Sequence, residues 1–238
     1  MFDTVEGAAR LERARATLLG AELRAGVRSR GEVVTPLAPP EPAPLVDLLP
    51  GGALPAGAVV SVLGPGSRSL QGSASLTSWL LGATQHGRPV AVVGWPQLGL
   101  LAMSEAGVDL GRLYVVPDVG GQSAMVLAAV IDGFEIVVAG PRVQLTPSER
   151  RRLLARTRRL DAAILSATPW EGSAAALVVE RSRWSGPDQG ERWIRDARLS
   201  VVRHSRADGA GAHFDVVRHG DAPPTVTAMR AAAAQLTG

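Results

Sequence analysis

A continuous apolar run, Ala58–Leu63 (AVVSVL), is followed by a glycine- and serine-rich loop, GPGSRSLQGS over residues 64–73, and then by a stretch with helical spacing. Strand, Gly-rich loop and helix together form the arrangement with which α/β proteins hold phosphate. The first amides of the helix point at the anion, and the helix dipole favours negative charge there. The working form, G-x-x-x-x-G-K-[ST], adds a lysine for the β- and γ-phosphates and a hydroxyl for magnesium. Neither register of this loop supplies both. Counted from Gly64, the last three places hold Ser69, Leu70 and Gln71; counted from Gly66 they hold Gln71, Gly72 and Ser73. The second register keeps a hydroxyl and puts glycine where the lysine belongs. The phosphate loop is thus degenerate at Gly64, Gly66, Leu70, Gly72 and Ser73, and no nucleotide, metal or other cofactor is expected in it. The whole chain lacks lysine, all 25 of its Lys-plus-Arg residues being arginine. That excludes Schiff-base and lysine general-base chemistry as well.

Thr146–Leu160 is the second run that could do chemistry. Thr146 as N-cap, Pro147 at the first helical place and Glu149 three residues after the cap predict a helix start. At 100° per residue Leu153, Leu154, Thr157 and Leu160 share one face, while Arg151, Arg152, Arg156, Arg158 and Arg159 fill a contiguous arc opposite. Arginines in the first turn oppose the helix dipole at about 0.3–1 kcal/mol each, a cost that phosphate contacts would offset. These five arginines are candidates for a weak, sequence-indifferent contact to nucleic-acid phosphates, and Trp170 for stacking on a base. The arc is equally the solvated face of a helix written without lysine, and Trp170 is equally a packing residue or a partner anchor. His86, His204, His213 and His219 are scattered, with no carboxylate-rich partner at metal-ligand spacing. There is no G-x-S-x-G elbow, and the absence of cysteine excludes disulfides, thiolate zinc sites and cysteine nucleophiles. No catalytic residue and no enzyme activity is expected.

The elements that must position these residues follow from periodicity. Short apolar runs at Ala58–Leu63 and Pro89–Val93 read as strands buried on both faces, and Arg112–Val116, Phe134–Ala139 and Ala162–Ala167 as further strands. They alternate with helices near Ala74–Gln85, Leu98–Ala106, Gln122–Ile131 and Thr146–Leu160, which predicts an α/β fold with a doubly wound, mostly parallel sheet. After Pro169, runs at Ala176–Arg183, Arg192–His204 and Ala212–Arg218 are separated by Gly, Pro and Asp, too closely for crossover helices. They predict antiparallel strands extending that sheet.

Ahead of the core, Thr4–Ala25 has helical spacing with a thin apolar stripe, and prolines at 36, 39, 40, 42 and 44 predict an extended linker. The expected organisation is a helix over 1–30, a proline-rich linker over 31–47, the core over 48–220 and a tail over 221–238. The tail, Thr225–Leu236, is alanine-rich and of helical propensity. Both ends are the expected contacts with partners. The chain is 46% hydrophobic, 20% charged and carries a net +3, enough apolar content for a substantial core and too little charge to imply a polyanion by itself. No apolar run reaches the roughly 20 residues of a membrane span, and the first residues alternate charges without an apolar stretch. A cytoplasmic protein without membrane contact is expected.

Several stretches together resemble RecA-type recombinases. Leu49-Pro50-Gly51-Gly52-Ala53-Leu54-Pro55-Ala56-Gly57, with Val60-Ser61-Val62-Leu63-Gly64-Pro65, is similar to their entry into the ATPase core. Ala106–Leu113 (AGVDLGRL) resembles the family's L-G-V-D-x-x-N-L, and Ile136–Ala139 followed by Leu145-Thr146-Pro147 resembles I-V-V-D-S-V-x-A-L-T-P. The likeness spans roughly 48–168 and, more weakly, extends to about 218. It departs where catalysis needs it: Pro96 stands in the place of the glutamate that activates water, and Ala139 in that of the magnesium-orienting aspartate. The lysine-free pattern, with Leu177–Gly186 (LVVERSRWSG) similar to an L-x-x-E-R-x-R-W-x-G stretch, resembles the accessory proteins of bacterial mutagenesis cassettes, ImuA and actinobacterial ImuA-prime, and more distantly the SulA division inhibitors. That resemblance implies a non-catalytic adaptor of error-prone translesion synthesis in the DNA-damage (SOS) response, nucleoid-associated after damage. Its implied partners are a catalytically inactive Y-family polymerase homologue and an error-prone replicative-type polymerase, with RecA a further candidate. A SulA-like division inhibitor and a divergent ATP-binding recombinase paralogue are the alternatives.

Overall fold

The computed structural model describes residues 42–66, 69–186 and 196–229. The helix expected over Thr4–Ala25, the turn at Trp193 and the chain beyond 229 lie outside them. In chain order the strands are β1 (Ala43–Pro44), β2 (Ala58–Leu63), β3 (Val90–Val93), β4 (Leu113–Val116), β5 (Ile136–Ala139), β6 (Ala163–Ser166), β7 (Ala175–Ser185), β8 (Asp196–Ser205), β9 (Ala212–His219) and β10 (Thr225–Met229). The helices are α1 (Ser73–Thr84), α2 (Leu100–Glu105), α3 (Ser123–Gly133) and α4 (Pro147–Leu160).

Among the described residues these strands form one mixed sheet in the order β1-β10-β9-β8-β7-β2-β6-β5-β3-β4. From β7 to β4 every neighbouring pair is parallel, and from β7 back to β1 every pair is antiparallel. The α/β fold is therefore the expected one, a doubly wound parallel core with an antiparallel extension. Alternation along the strands splits the core in two. Val60, Val62, Val92, Val138 and Leu165 join Leu76 and Leu80 of α1 and Met103 of α2. Val59, Val137 and Ile164 join Leu127 and Ile131 of α3 and Leu153 and Leu154 of α4. A period of two on strands buried on both faces gives helices on both sides. No helix among the described residues is long and apolar enough to cross a membrane.

Three sequence expectations need correction. Residues 43–47 are not linker: β1 pairs with β10, and a 3-10 turn that opens at Leu45 runs on to Leu48 with both leucines buried. The tail is not helical at its start, because Thr225–Met229 is a strand between β9 and β1 with Val226 paired to Val216 and buried. The alternation Thr225-Val226-Thr227 suits a half-buried edge, and it outweighs the alanine run that begins at Ala228. Leu160 is 43% exposed instead of completing the apolar stripe of α4, since the helix ends there with Asp161 in the left-handed conformation.

Candidate functional site at the carboxyl ends of the parallel strands

Ligands of open α/β sheets bind beyond the carboxyl ends of the strands, and the loop after β2 lies there. Its described residues, 64–66 and 69–73, pack and bond among themselves. Gly64 is packed so tightly under the loop that a Cβ would run into the Ser69 carbonyl. The Ser69 hydroxyl accepts the Gln71 N–H at 3.2 Å, and the Leu70 carbonyl accepts both the Ser73 N–H at 3.1 Å and the Ser73 hydroxyl at 2.9 Å. Amides and a hydroxyl that would face a phosphate and its magnesium are thus spent within the loop. Gly72 caps α1 with φ +75°, and a Cβ there would stand 2.7 Å from Val179 of β7. Leu70, the other occupant of the lysine place, packs on the first core.

Beside this loop is a cavity of about 470 Å³ lined by Leu63, Leu70, Ala167, Pro169 and Val178, with Ser69 and Thr168 among its polar neighbours. None of its described lining residues carries a charge; Ser67 and Arg68 of the loop lie outside the described residues. Ala139 ends β5 fully buried, and Pro96 lies exposed after β3.

The arginines of α4 do not form one uniform face. The Thr146–Glu149 capping box is complete, with Glu149 N–H donating to Thr146 Oγ1 at 3.3 Å and Thr146 N–H to Glu149 Oε2 at 2.7 Å. These Thr146 bonds hold the Glu149 carboxyl below its ordinary range. Arg156 makes a two-pronged ion pair with Asp132 of α3, which lowers the Asp132 carboxyl and raises the guanidinium. Arg156 therefore serves the α3–α4 contact and not a phosphate. Arg151 lies 3.9 Å from Glu171. Arg152, Arg158 and Arg159 are exposed, with no carboxylate at ion-pair distance among the described residues. Trp170 is 4% exposed within the second core. That takes its ring away from any base and corrects its candidacy as a stacking residue. His219 contacts Asp196 at 2.7 Å, and among the described residues no three His, Cys, Asp or Glu side chains gather as a metal site would require.

Residues 47–172 match the model of the MT3502 N-terminal domain family. The chain belongs to that family. The family domain runs from the buried turn before β2 to the loop after β6, so it contains the closed loop, the cavity's β5 and β6 walls and all of α4. An uncharacterized protein of Mycobacterium tuberculosis, Rv3395c, is 39% identical over 137 residues, which is 56% of this chain and 64% of that protein. The match thus spans somewhat less than two thirds of that relative.

Sequence reasoning missed one polar cluster that ties the start of the family domain to the strands beyond it. Arg203 of β8 donates to both Asp208 oxygens at 2.8 and 2.9 Å, to the Asp47 and Leu48 carbonyls at 3.2 Å, and covers the Phe214 ring. Ser205 Oγ adds a bond to Asp208 at 2.6 Å. The partners are as many as 156 residues apart, so no local spacing signals them.

Proposed function

We propose that this chain is a non-catalytic, RecA-like adaptor of an error-prone translesion-synthesis complex, of the ImuA-prime type, acting in the DNA-damage response. One observation carries the reading: a strand–loop–helix in the place of a phosphate cradle whose loop is folded shut by Gly64, Ser69, Leu70 and Ser73. Buried Ala139 and exposed Pro96 stand where a RecA-type ATPase would need carboxylates, so three electrostatic parts of phosphoryl transfer are absent together. A core retained without that chemistry serves as a scaffold for protein contacts. Its partners in this reading are the inactive Y-family polymerase homologue and the error-prone replicative-type polymerase.

The test is reconstitution with the purified polymerase homologue. Co-elution is expected without nucleotide and at the same affinity with or without Mg-ATP, and the chain alone releases no phosphate from ATP above a buffer blank. Saturable ATP-dependent thermal stabilisation, or failure to bind either polymerase, would overturn the proposal.

A further inference from the structure

At the opposite end of β2 from the closed loop there is a second cavity, of about 350 Å³. It is lined by Pro50 and Gly57, by Arg158 of α4, by Ser173, and by the turn after β8 with Arg206. Neither Arg158 nor Arg206 has a hydrogen-bond or ion-pair partner among the described residues, and the Ser173 hydroxyl has none either. The acid of the same turn, Asp208, is consumed by Arg203 and Ser205. The carboxylate nearest Gly57 is Asp161, 3.6 Å from where a Cβ would stand. The lining itself holds both guanidiniums and no carboxylate, and counting Asp161 beside Gly57 leaves a single positive charge.

The walls are held in place. Arg203 ties the β8–β9 turn through Asp208 and ties the segment leading into Pro50 through the Asp47 and Leu48 carbonyls. Gly57, at φ +66°, lets its turn approach α4 so closely that a Cβ would stand 3.2 Å from the Arg158 Cα. Both arginines therefore leave rigid supports and face one space, the arrangement that planar, forked guanidiniums need to grip a tetrahedral oxyanion. A volume in the range of about 300–1,000 Å³ typical of ligand sites is far more than one water needs.

We infer that this cavity is a binding site for a phosphodiester-type monoanion, gripped by Arg158 and Arg206 with the Ser173 hydroxyl as a further donor. The single net positive charge matches a diester phosphate, as in a nucleic-acid backbone, and free phosphate shares the same chemistry. The inference stands on the cavity alone and survives a failure of the adaptor reading.

Fluorescent oligothymidylate and inorganic phosphate are the two probes, used with the full chain. R158Q/R206Q is expected to bind the oligonucleotide at least tenfold more weakly, with a log K against log salt slope shallower by about 0.7, one phosphate on a single strand. R183Q/R198Q removes the same charge from the exposed β7–β8 pair outside the cavity and is expected to change affinity less than threefold. S173A removes one hydroxyl, is expected to weaken binding about threefold, and keeps the test available if the double variant unfolds. Inorganic phosphate that stabilises the parent and not R158Q/R206Q, without oligonucleotide binding, would assign the site to free phosphate. Parent-like binding by R158Q/R206Q, equal losses in the two double variants, or no response to either probe would overturn the inference.

Discussion

At the level of single residues, this molecule is defined by where charge is missing and where it is tied down. Gly72 stands in the lysine place with its backbone left-handed and β7 against it, so the position excludes any side chain and not only a lysine. Arg203 and Asp208 are the reverse case, a charged pair whose side chains are only 17% and 6% exposed. The Arg203 guanidinium, and after it Ser205, hold the Asp208 carboxyl below its ordinary range against the opposing effect of burial. A carboxyl lowered by folding contributes stability above its unfolded value, and that contribution is lost as pH falls through the folded value. D208N is therefore expected to cost about 2–3 kcal/mol at neutral pH, because it leaves a mostly buried arginine without its partner. The difference from the parent is expected to shrink as pH falls below about 4. Urea unfolding of both proteins from pH 7 down to pH 3 checks this; a difference that stays constant over the range would refute the assignment.

Among the elements, legibility followed locality. Helix α4 could be read almost to the residue, because Thr146, Pro147 and Glu149 carry its start within four positions and the capping box forms as those types require. Strand β2 was legible for a similar reason, as an unbroken apolar run bounded by Gly57 and Gly64. Strands β1 and β10 were not. They pair residues more than 180 positions apart, Ala43 with Val226 and Pro44 with Thr225, and a proline-rich run or an alanine-rich tail shows its own propensity and not its distant partner. The arc of arginines was legible as a pattern, but its division was not, since Arg156 is claimed by Asp132 on a neighbouring helix. Strand β10 makes a sharp prediction. V226D puts a carboxylate into the first core beneath the sheet, where it has no partner, and is expected to destabilise the fold by about 3 kcal/mol or more. A tail irrelevant to the fold would leave the unfolding midpoint unmoved in the same urea titration.

Considered as a whole molecule, the sheet ends in two very different edges. Strand β1 is two residues long and contains Pro44, and proline and shortness are both devices that keep an edge from pairing. Strand β4 has neither. Among the described residues its four, Leu113-Tyr114-Val115-Val116, are paired on one side only, to β3. Tyr114 is 54% and Val115 43% exposed, and Tyr114 rests edge-on against Phe134. An exposed apolar edge strand with unpaired backbone groups is a template for a strand from another chain. If the chain is the adaptor proposed above, this edge is where the parallel half of the sheet would recognise a protein. Replacing Tyr114 and Val115 by lysine puts two cations on the edge and removes the Tyr114–Phe134 ring contact, so a loss of about 0.5–1.5 kcal/mol of stability is expected, with the fold kept. Affinity for the polymerase homologue is expected to fall at least tenfold, read by surface-immobilised binding of the two purified proteins. If Y114K/V115K stays folded and binds as tightly as the parent, the partner docks elsewhere and β4 is not the docking edge.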